Sequence, residues 1–224
     1  MFYPQLMDTR ELLQRYSQGQ RDFSQTKMQL SDLSECCLSG INLAQADLSD
    51  SNLAQVNLKG SNLAEALLIK AILWRTDLSQ TKLIATRCEQ ANLIRANLCQ
   101  ADCHQAVLRK ADLRLAKLQS TDLSQANLAG ANLSYANLTG ANLAGANLSY
   151  ANLTGANLAG ANLSHTQLAH AIVINVNWSG TILHDIDLTQ VDISLKDLSQ
   201  AIWREGVMVE TPVSPVQIVT GFPQ

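Results

Sequence analysis

The chain is poor in charge and in aromatic residues. Phe, Trp and Tyr make up 4% of its 224 residues, charged residues make up 16%, and the net charge at pH 7 is −3. Proteins that bind nucleic acid usually combine a basic surface with several aromatic side chains. The composition therefore argues against nucleic-acid binding as the main activity.

Segments that would indicate a membrane or a secreted protein are also lacking. The sequence has no long apolar run, and Met1–Met7 contains Pro4 without the basic-then-apolar order of a signal peptide. The five cysteines are an odd number without the spacing of a disulfide framework, which is typical of a reducing compartment. We therefore expect a cytoplasmic protein without membrane attachment.

What the chain does contain is a period of five between Phe23 and Trp203. Every fifth position, 37 in all, carries an apolar residue or cysteine, and 29 of them are leucine. Residues five apart spread around an α-helix, and on a flat strand they alternate between faces. Neither structure gathers the leucines on one apolar face. If the chain bends after every pentapeptide, each leucine points at a common axis.

A second periodic position indicates that the space around this axis is narrow. Two residues before the leucine position lie Ala in 19 repeats and Ser or Thr in 10. A small residue beside each leucine is what a closely packed interior requires. The other three positions are mostly polar and are predicted to face water, so stacked repeats would bury a common core. Cys36, Cys88 and Cys103 fall on inward positions and are predicted to be buried.

Pentapeptides such as Ala46–Asp50 (ADLSD), and the later ANLSY and ANLTG, resemble the consensus A(D/N)LxX of the pentapeptide-repeat family. The resemblance covers residues 21–203. It implies an all-β fold, a right-handed quadrilateral parallel β-helix with four pentapeptides per coil and about nine coils. We predict three segments: an N-terminal helical cap over 1–20, the pentapeptide-repeat β-helix over 21–203, and a C-terminal tail or cap over 204–224.

The two ends of the chain depart from the repeat. Asp8 followed by Glu11 resembles a capping box, and the pattern up to Gly19 predicts a helix over 9–17 that covers the open end of the first coil. At the other end, prolines argue against a central strand, so the tail either covers the last coil or is mobile. Trp203 with this apolar tail leaves open a homodimer through the C-terminal end.

The inward positions change after Ala171. The small position grows to Val176, Ile186 and Val191 and then becomes Lys196. Overpacking is expected to widen or distort these coils, and an inward lysine puts the register in doubt there.

Residues 67–117 form the most distinctive window. It holds 9 of the 16 Lys and Arg residues against four acids, and several outward positions are apolar. Counting repeats in fours places these residues on two neighbouring faces. Trp, Arg and exposed Ile are enriched at the energetic centres of protein interfaces. The predicted partner-binding residues are Ile69, Lys70, Ile72, Trp74, Arg75, Ile94, Arg95, Arg109, Lys110 and Arg114, accompanied by Leu67, Val107 and Leu115.

Residues 126–164, in contrast, are nearly pure consensus without charge. Ala126–Gly140 recurs unchanged as Ala141–Gly155. Because fifteen residues are three faces, Tyr135 and Tyr150 are expected on adjacent faces, and we interpret this block as a spacer.

We find no constellation that predicts catalysis, a cofactor or a metal site. The sequence has no glycine-rich phosphate loop, paired-cysteine site or HExxH motif. Cys99, Cys103 and His104 cannot converge on one ion, because Cys103 is predicted to point inward. The four histidines are expected on outward positions of different coils. They are His104, His165, His170 and His184.

The predicted function is a non-enzymatic scaffold that binds a protein partner through the window 67–117. Over residues 12–118 the chain resembles cyanobacterial members of the family, which implies a regulatory role in heterocyst differentiation. The window could instead be covered by the protein's own tail or by a second copy.

Two alternatives remain open for the function. One is a DNA mimic that regulates a topoisomerase such as gyrase, as some family members do, but a mimic needs negative charge along its length. The other is direct nucleic-acid binding through the basic window, which contains a single aromatic residue.

Overall fold

The five-residue period folds into stacked coils. In the computed structural model, which describes residues 7–211 and 214–219, parallel bridges join residues twenty apart, from Asp22↔Asn42 to Asn162↔Ile182. Four pentapeptides therefore separate each residue from its neighbour in the next coil, as the resemblance to the pentapeptide-repeat family implies. The result is a β-helix-type solenoid with four faces, while its handedness and the number of coils stay predictions.

We number the faces by the residues that the bridges join. Face 1 begins at Asp22, face 2 at Lys27, face 3 at Asp32 and face 4 at Cys37. Every later pentapeptide repeats this order, so residues that are a multiple of twenty apart share a face.

The leucine and small positions form the interior. The leucines from Leu33 to Leu168 are almost completely buried, and so are the alanines of the small position. Where this position carries Thr, the hydroxyl donates a hydrogen bond to a backbone carbonyl: Thr76 Oγ1 lies 2.6 Å from Leu53 O, and Thr86 Oγ1 lies 2.7 Å from Leu63 O. Small hydroxyl side chains are therefore tolerated in the core because their polar atoms are satisfied.

The remaining positions build the corners. From Gln25 to Asp185, the second residue after each leucine position has a positive φ, for example 59° at Gln55, as in the third position of a type II turn. Asn or Asp before the leucine supports the turn: Asn52 Oδ1 accepts a hydrogen bond from Ala54 N at 3.1 Å. The same side chains also connect coils, since Asn62 Nδ2 donates to Asn42 Oδ1 at 3.0 Å.

Helix α1 spans Thr9–Ser17, the range that the sequence predicts. Asp8 is its N-cap, and its Oδ1 accepts a hydrogen bond from Glu11 N at 2.7 Å. Leu12 is fully buried in the core, and Tyr16 donates from its hydroxyl to Ser39 O at 2.8 Å. The helix therefore packs on the first coil. In the described part of the chain, no helix has the length and apolar character needed to cross a membrane.

The C-terminal segment adds strands to the last coil. The strands are β1 (Ile182–Leu183), β2 (Ile186–Asp187), β3 (Ile202–Trp203), β4 (Val207–Thr211) and β5 (Ser214–Val219). β1 pairs in parallel with β3, β2 pairs in parallel with β4, and β4 pairs antiparallel with β5.

This arrangement bears on the predictions for the tail. Val207 and Val209 are buried, so the tail up to this point covers the last coil. Pro215 lies in β5, which pairs on one side only, whereas Pro212 and Pro223 lie outside the described residues. The division into three segments and a homodimer through this end stay predictions.

The regular repeat fails after residue 190. Lys196, predicted to be inward, is exposed, and Ile193 and Trp203 are only half-buried. The spacing between paired residues grows from twenty for Ile182↔Ile202 to twenty-one for Ile186↔Val207. A charged ammonium group cannot be buried without a partner, so the chain leaves the regular path.

The hydrogen-bond ladder between coils is also interrupted in this region. Trp178 is buried at a leucine position, and within the described chain its indole Nε1 has no hydrogen-bond partner. No backbone hydrogen bond joins the N–H of Val173 or Trp178 to the described residues of the next coil. The distortion that the sequence predicts after Ala171 is therefore present.

The cysteines differ in their environments. Cys88 and Cys103 are buried as predicted, whereas Cys36 is only half-buried and Cys37 is exposed. Burial raises the pKa of Cys88 from its ordinary value of 9.0 to about 12, and burial also raises the pKa of Cys103. Both thiols therefore behave as small apolar side chains.

Thiol labelling tests this difference. At pH 8 we expect a disulfide reagent to modify Cys37 rapidly and Cys88 only when the protein unfolds, because on the order of one in ten thousand of its thiols is ionised at a pKa near 12. Rapid labelling of Cys88 in the folded protein would contradict this assignment.

The raised pKa of Cys88 also affects stability. The free energy of unfolding should decrease as the pH rises above 9.0, since the unfolded thiol ionises first.

The N-terminal cap is tested by a pair of leucine variants. Leu12→Ala should lower the free energy of unfolding by about 2–5 kcal/mol, because a fully buried side chain is removed at the end of the core. Leu13→Ala, at a half-buried neighbour in the same helix, should cause a smaller loss. Chemical denaturation followed by circular dichroism measures both, and equal effects would argue against the cap.

Candidate partner-binding surface

The ten predicted partner-binding residues, which we call the Trp74 patch, lie on two adjoining faces. The smaller group, which includes Ile69 and Arg109, lies on face 2, the face joined by the bridge from Leu67 to Arg87. The larger group lies on face 3, the face joined by the bridges from Asn52 to Ile72 and onward to Asn92. The face assignment from the sequence is therefore reproduced. Whether these residues bind a partner stays a prediction.

On face 3, Trp74, Ile94 and Arg114 stand one above the other. Arg75 N donates to Ile94 O at 3.0 Å, and Arg95 N donates to Arg114 O at 2.9 Å. These backbone hydrogen bonds hold successive side chains at the spacing of neighbouring strands, about 4.8 Å. Most residues of the patch therefore lie in the turns between faces, and the hydrogen bonds between coils hold these turns in register.

The apolar members of the patch are partly accessible. Ile72 is 43% exposed, and Ile69, Trp74 and Ile94 are half-buried. The guanidinium of Arg75 lies over the Trp74 ring at 4.6 Å from its centre, a cation–π contact that orients both side chains. The surface therefore presents flat apolar area beside a positive charge.

The charges of the patch fall into two groups. Arg114 Nη2 lies 2.7 Å from Asp112 Oδ2, and this neighbouring carboxylate raises the pKa of the guanidinium. The other cations of the patch are exposed and form no ion pair with any described residue. They are Lys70, Arg75, Arg95, Arg109 and Lys110.

Four of these free cations stand at corners. Lys70 and Lys110 have φ values of 56° and 55° and end face 2, where it meets face 3. Arg75 and Arg95 have φ values of 55° and 58° and end face 3, where it meets face 4. Face 3 is therefore bordered by positive charge on both sides along the patch.

Sequence reasoning missed that the apolar character of face 3 continues beyond the patch. Tyr135 and Ile174 are 63% and 60% exposed, and Ile172 is also exposed. Bridges from Asn132 through Asn152 to Ile172 place all three on face 3. The spacing of the isoleucines could have indicated this extension, because Ile172 follows Ile72 by one hundred residues, which is five whole coils.

The two repeated tyrosines are on adjacent faces, as expected. Tyr135 belongs to face 3, whereas Tyr150 belongs to face 2, where its ring lies 4.9 Å from that of His170. The block 126–164 therefore contributes one aromatic residue to face 3. Its interpretation as a spacer did not assign any such surface residue to the block.

The prediction that the four histidines lie on different coils is wrong for His165 and His170, which lie on adjoining faces of one coil. Nδ1 of His165 lies 3.0 Å from Asp185 Oδ2, and the rings of His165 and His184 are 5.2 Å apart, although they belong to different coils. The described residues include no group of three or more His, Cys, Asp or Glu placed to hold a metal ion. Cys99 and His104 have separate partners, Gln119 and Ser124.

Comparison with protein families gives a clear match. A family model described as pentapeptide repeats matches in eight copies, over residues 46–84, 61–100, 86–125, 126–165 and 161–200. A comparison with proteins of curated function finds no match.

Comparison with solved structures finds two proteins of the cyanobacterium Nostoc. HetL from Nostoc sp. strain PCC 7120, a pentapeptide repeat protein involved in heterocyst differentiation regulation, is 34% identical with a TM-score of 0.55, and the alignment covers 91% of this chain and 97% of HetL. The protein alr5209 from Nostoc PCC 7120 is 32% identical over 50% of this chain and 84% of its own, with a TM-score of 0.43.

The plasmid-mediated fluoroquinolone resistance protein QnrB1 is more distant. It is 14% identical with a TM-score of 0.40, over 84% of this chain and 93% of QnrB1, which is too low to support a functional inference. The repeat model and the similarity to HetL lead to one conclusion. The chain belongs to the pentapeptide-repeat family.

Proposed function

We propose that this protein is a non-enzymatic scaffold that binds a protein partner through the Trp74 patch. The observation that carries the proposal is the combination of partly exposed apolar side chains with cations that have no ion pair among the described residues, on two adjoining faces. Contiguous apolar surface on a folded protein usually marks an interaction site, and Trp and Arg dominate the energetics of such sites. The similarity to HetL supports a regulatory role, which we propose to be in heterocyst differentiation, and we expect a cytoplasmic location.

The protein's own tail is a poor candidate for covering the patch. Its described part pairs with β2 near Ile186, whereas the patch ends at Arg114. This separation is more than three coils, or on the order of 15 Å. A second copy of the chain is the remaining alternative cover, and measuring the oligomeric state would detect it.

The two nucleic-acid alternatives are less well supported. A DNA mimic needs carboxylates along its length, but the outward ladder from Asn127 to Asn162 consists of amides. Direct binding to DNA needs a broad set of phosphate contacts, whereas the unpaired cations here alternate with apolar side chains. Both features fit a protein interface better.

The experiment is affinity capture from lysate with a matched pair of variants. Trp74→Ala combined with Arg95→Glu should reduce retention of the partner at least about 30-fold, because it removes an interface anchor and reverses a charge. Quantitative mass spectrometry compares the proteins retained by each bait. Circular dichroism verifies that the variant is folded.

The control variant carries Ile84→Ser with Lys82→Glu. Ile84 and Lys82 lie on face 1 of the same coil as Ile94, so the substitutions are chemically similar but on the opposite side. We expect the control to retain the partner. Full retention by the folded patch variant would show that the Trp74 patch is not the binding site.

A further inference from the structure

An apolar stripe runs along face 3 and is longer than the Trp74 patch. We call it the face-3 stripe and define it by six residues: Ile72, Trp74, Ile94, Leu115, Tyr135 and Ile174. The first three belong to the patch, and the last three extend the stripe toward the C-terminal end. This extension has no role in the function proposed above.

The stripe is continuous across the coil that contributes no apolar side chain to it. That coil has Gly155 at its corner, and the Tyr135 ring lies over this glycine. A Cβ atom at position 155 would come within 2.6 Å of the ring. The ring therefore occupies the space that a side chain at 155 would need, and it fills the gap between Leu115 and Ile174.

The backbone of face 3 is not available to a partner. Gln55 N donates to Trp74 O at 2.8 Å, Arg95 N donates to Arg114 O at 2.9 Å, and Tyr135 N donates to Thr154 O at 2.8 Å. Because these groups already pair between coils, a partner strand cannot be added to the face. Recognition here depends on side chains.

The dimensions favour a single helix as the occupant. From the coil of Ile72 to that of Ile174 is five steps of about 4.8 Å, which gives a length of about 24 Å. An α-helix of about 16 residues has this length.

Charge adds a requirement on the occupant. Lys70 and Lys110 border one side of face 3, and Arg75 and Arg95 border the other, all without an ion pair among the described residues. These cations flank the part of the stripe from Ile72 to Leu115, so a helix bound there is favoured if it carries acidic side chains on both flanks of its apolar side over that part.

We infer that the face-3 stripe binds an amphipathic α-helix of the partner, about 16 residues long, with acidic flanks and with its axis along the solenoid. The inference rests on the proposed function and specifies the chemistry of the partner. It also assigns contacts to Tyr135 and Ile174, which lie outside the Trp74 patch.

The test uses three fluorescein-labelled peptides of 18 residues with the full-length protein. The first is a designed helix with leucines on one side and glutamates on both flanks. The second has lysine in place of glutamate, and the third has the composition of the first in an order that destroys the apolar side. Fluorescence anisotropy at low salt should give micromolar binding for the first peptide, at least about tenfold weaker binding for the second, and none for the third.

Two protein variants locate the bound helix. Ile174→Ser and Tyr135→Ser should each weaken binding of the acidic peptide about five- to tenfold, because each removes exposed apolar area from the contact. Ile202→Ser is the matched control, since Ile202 is also exposed but lies on face 1. It should leave binding unchanged.

Each contrary result has a defined meaning. Failure of the acidic peptide to bind, equal binding of the scrambled peptide, or no effect of Ile174→Ser would overturn the inference. If capture of the partner from lysate still requires Trp74 and Arg95 in that case, the proposed function stands, but the partner does not bind the stripe as a helix. A dimer in sedimentation that Ile174→Ser dissociates would assign the stripe to a second copy and also overturn the helix.

Discussion

The structure depends on burying one leucine per pentapeptide along a single axis. A buried leucine contributes about 1.5–3 kcal/mol relative to an exposed one, and only a chain that turns at every corner can bury all of them. The small residue two positions earlier follows from this constraint, because it lets opposite walls approach. The Asn and Asp ladder follows as well, since those side chains support the corners and connect the coils.

The same constraint creates the functional surface. Twenty residues per coil place side chains such as Leu115 and Tyr135 above each other although they are distant in sequence. The corner position has a positive φ and holds its side chain outward at the edge of a face. Arg75 and Arg95 occupy such corners, so the geometry that closes each coil also arranges free charges beside the apolar residues of face 3.

Much of the fold could be predicted from the sequence because the period is strict. The interior positions follow from the spacing and helix α1 from the capping at Asp8, whereas the four faces follow from the resemblance to the pentapeptide-repeat family. The end of the repeat could not be predicted, because Lys196 keeps the five-residue spacing while its charge prevents burial. The extension of face 3 to Ile174 was missed for another reason: the prediction rested on the charged window 67–117, and Ile174 lies about three coils beyond the end of that window.

The register of twenty residues is the central claim, and a disulfide measures it directly. In a protein with Cys36, Cys37 and Cys99 replaced by serine, Leu115→Cys with Tyr135→Cys should form a disulfide on mild oxidation, because stacked Cα atoms about 4.8 Å apart are within bonding range. Leu115→Cys with Gly130→Cys, fifteen residues apart on different faces, should not. Mass spectrometry reads the result, and a disulfide between 115 and 130 but not between 115 and 135 would contradict the account.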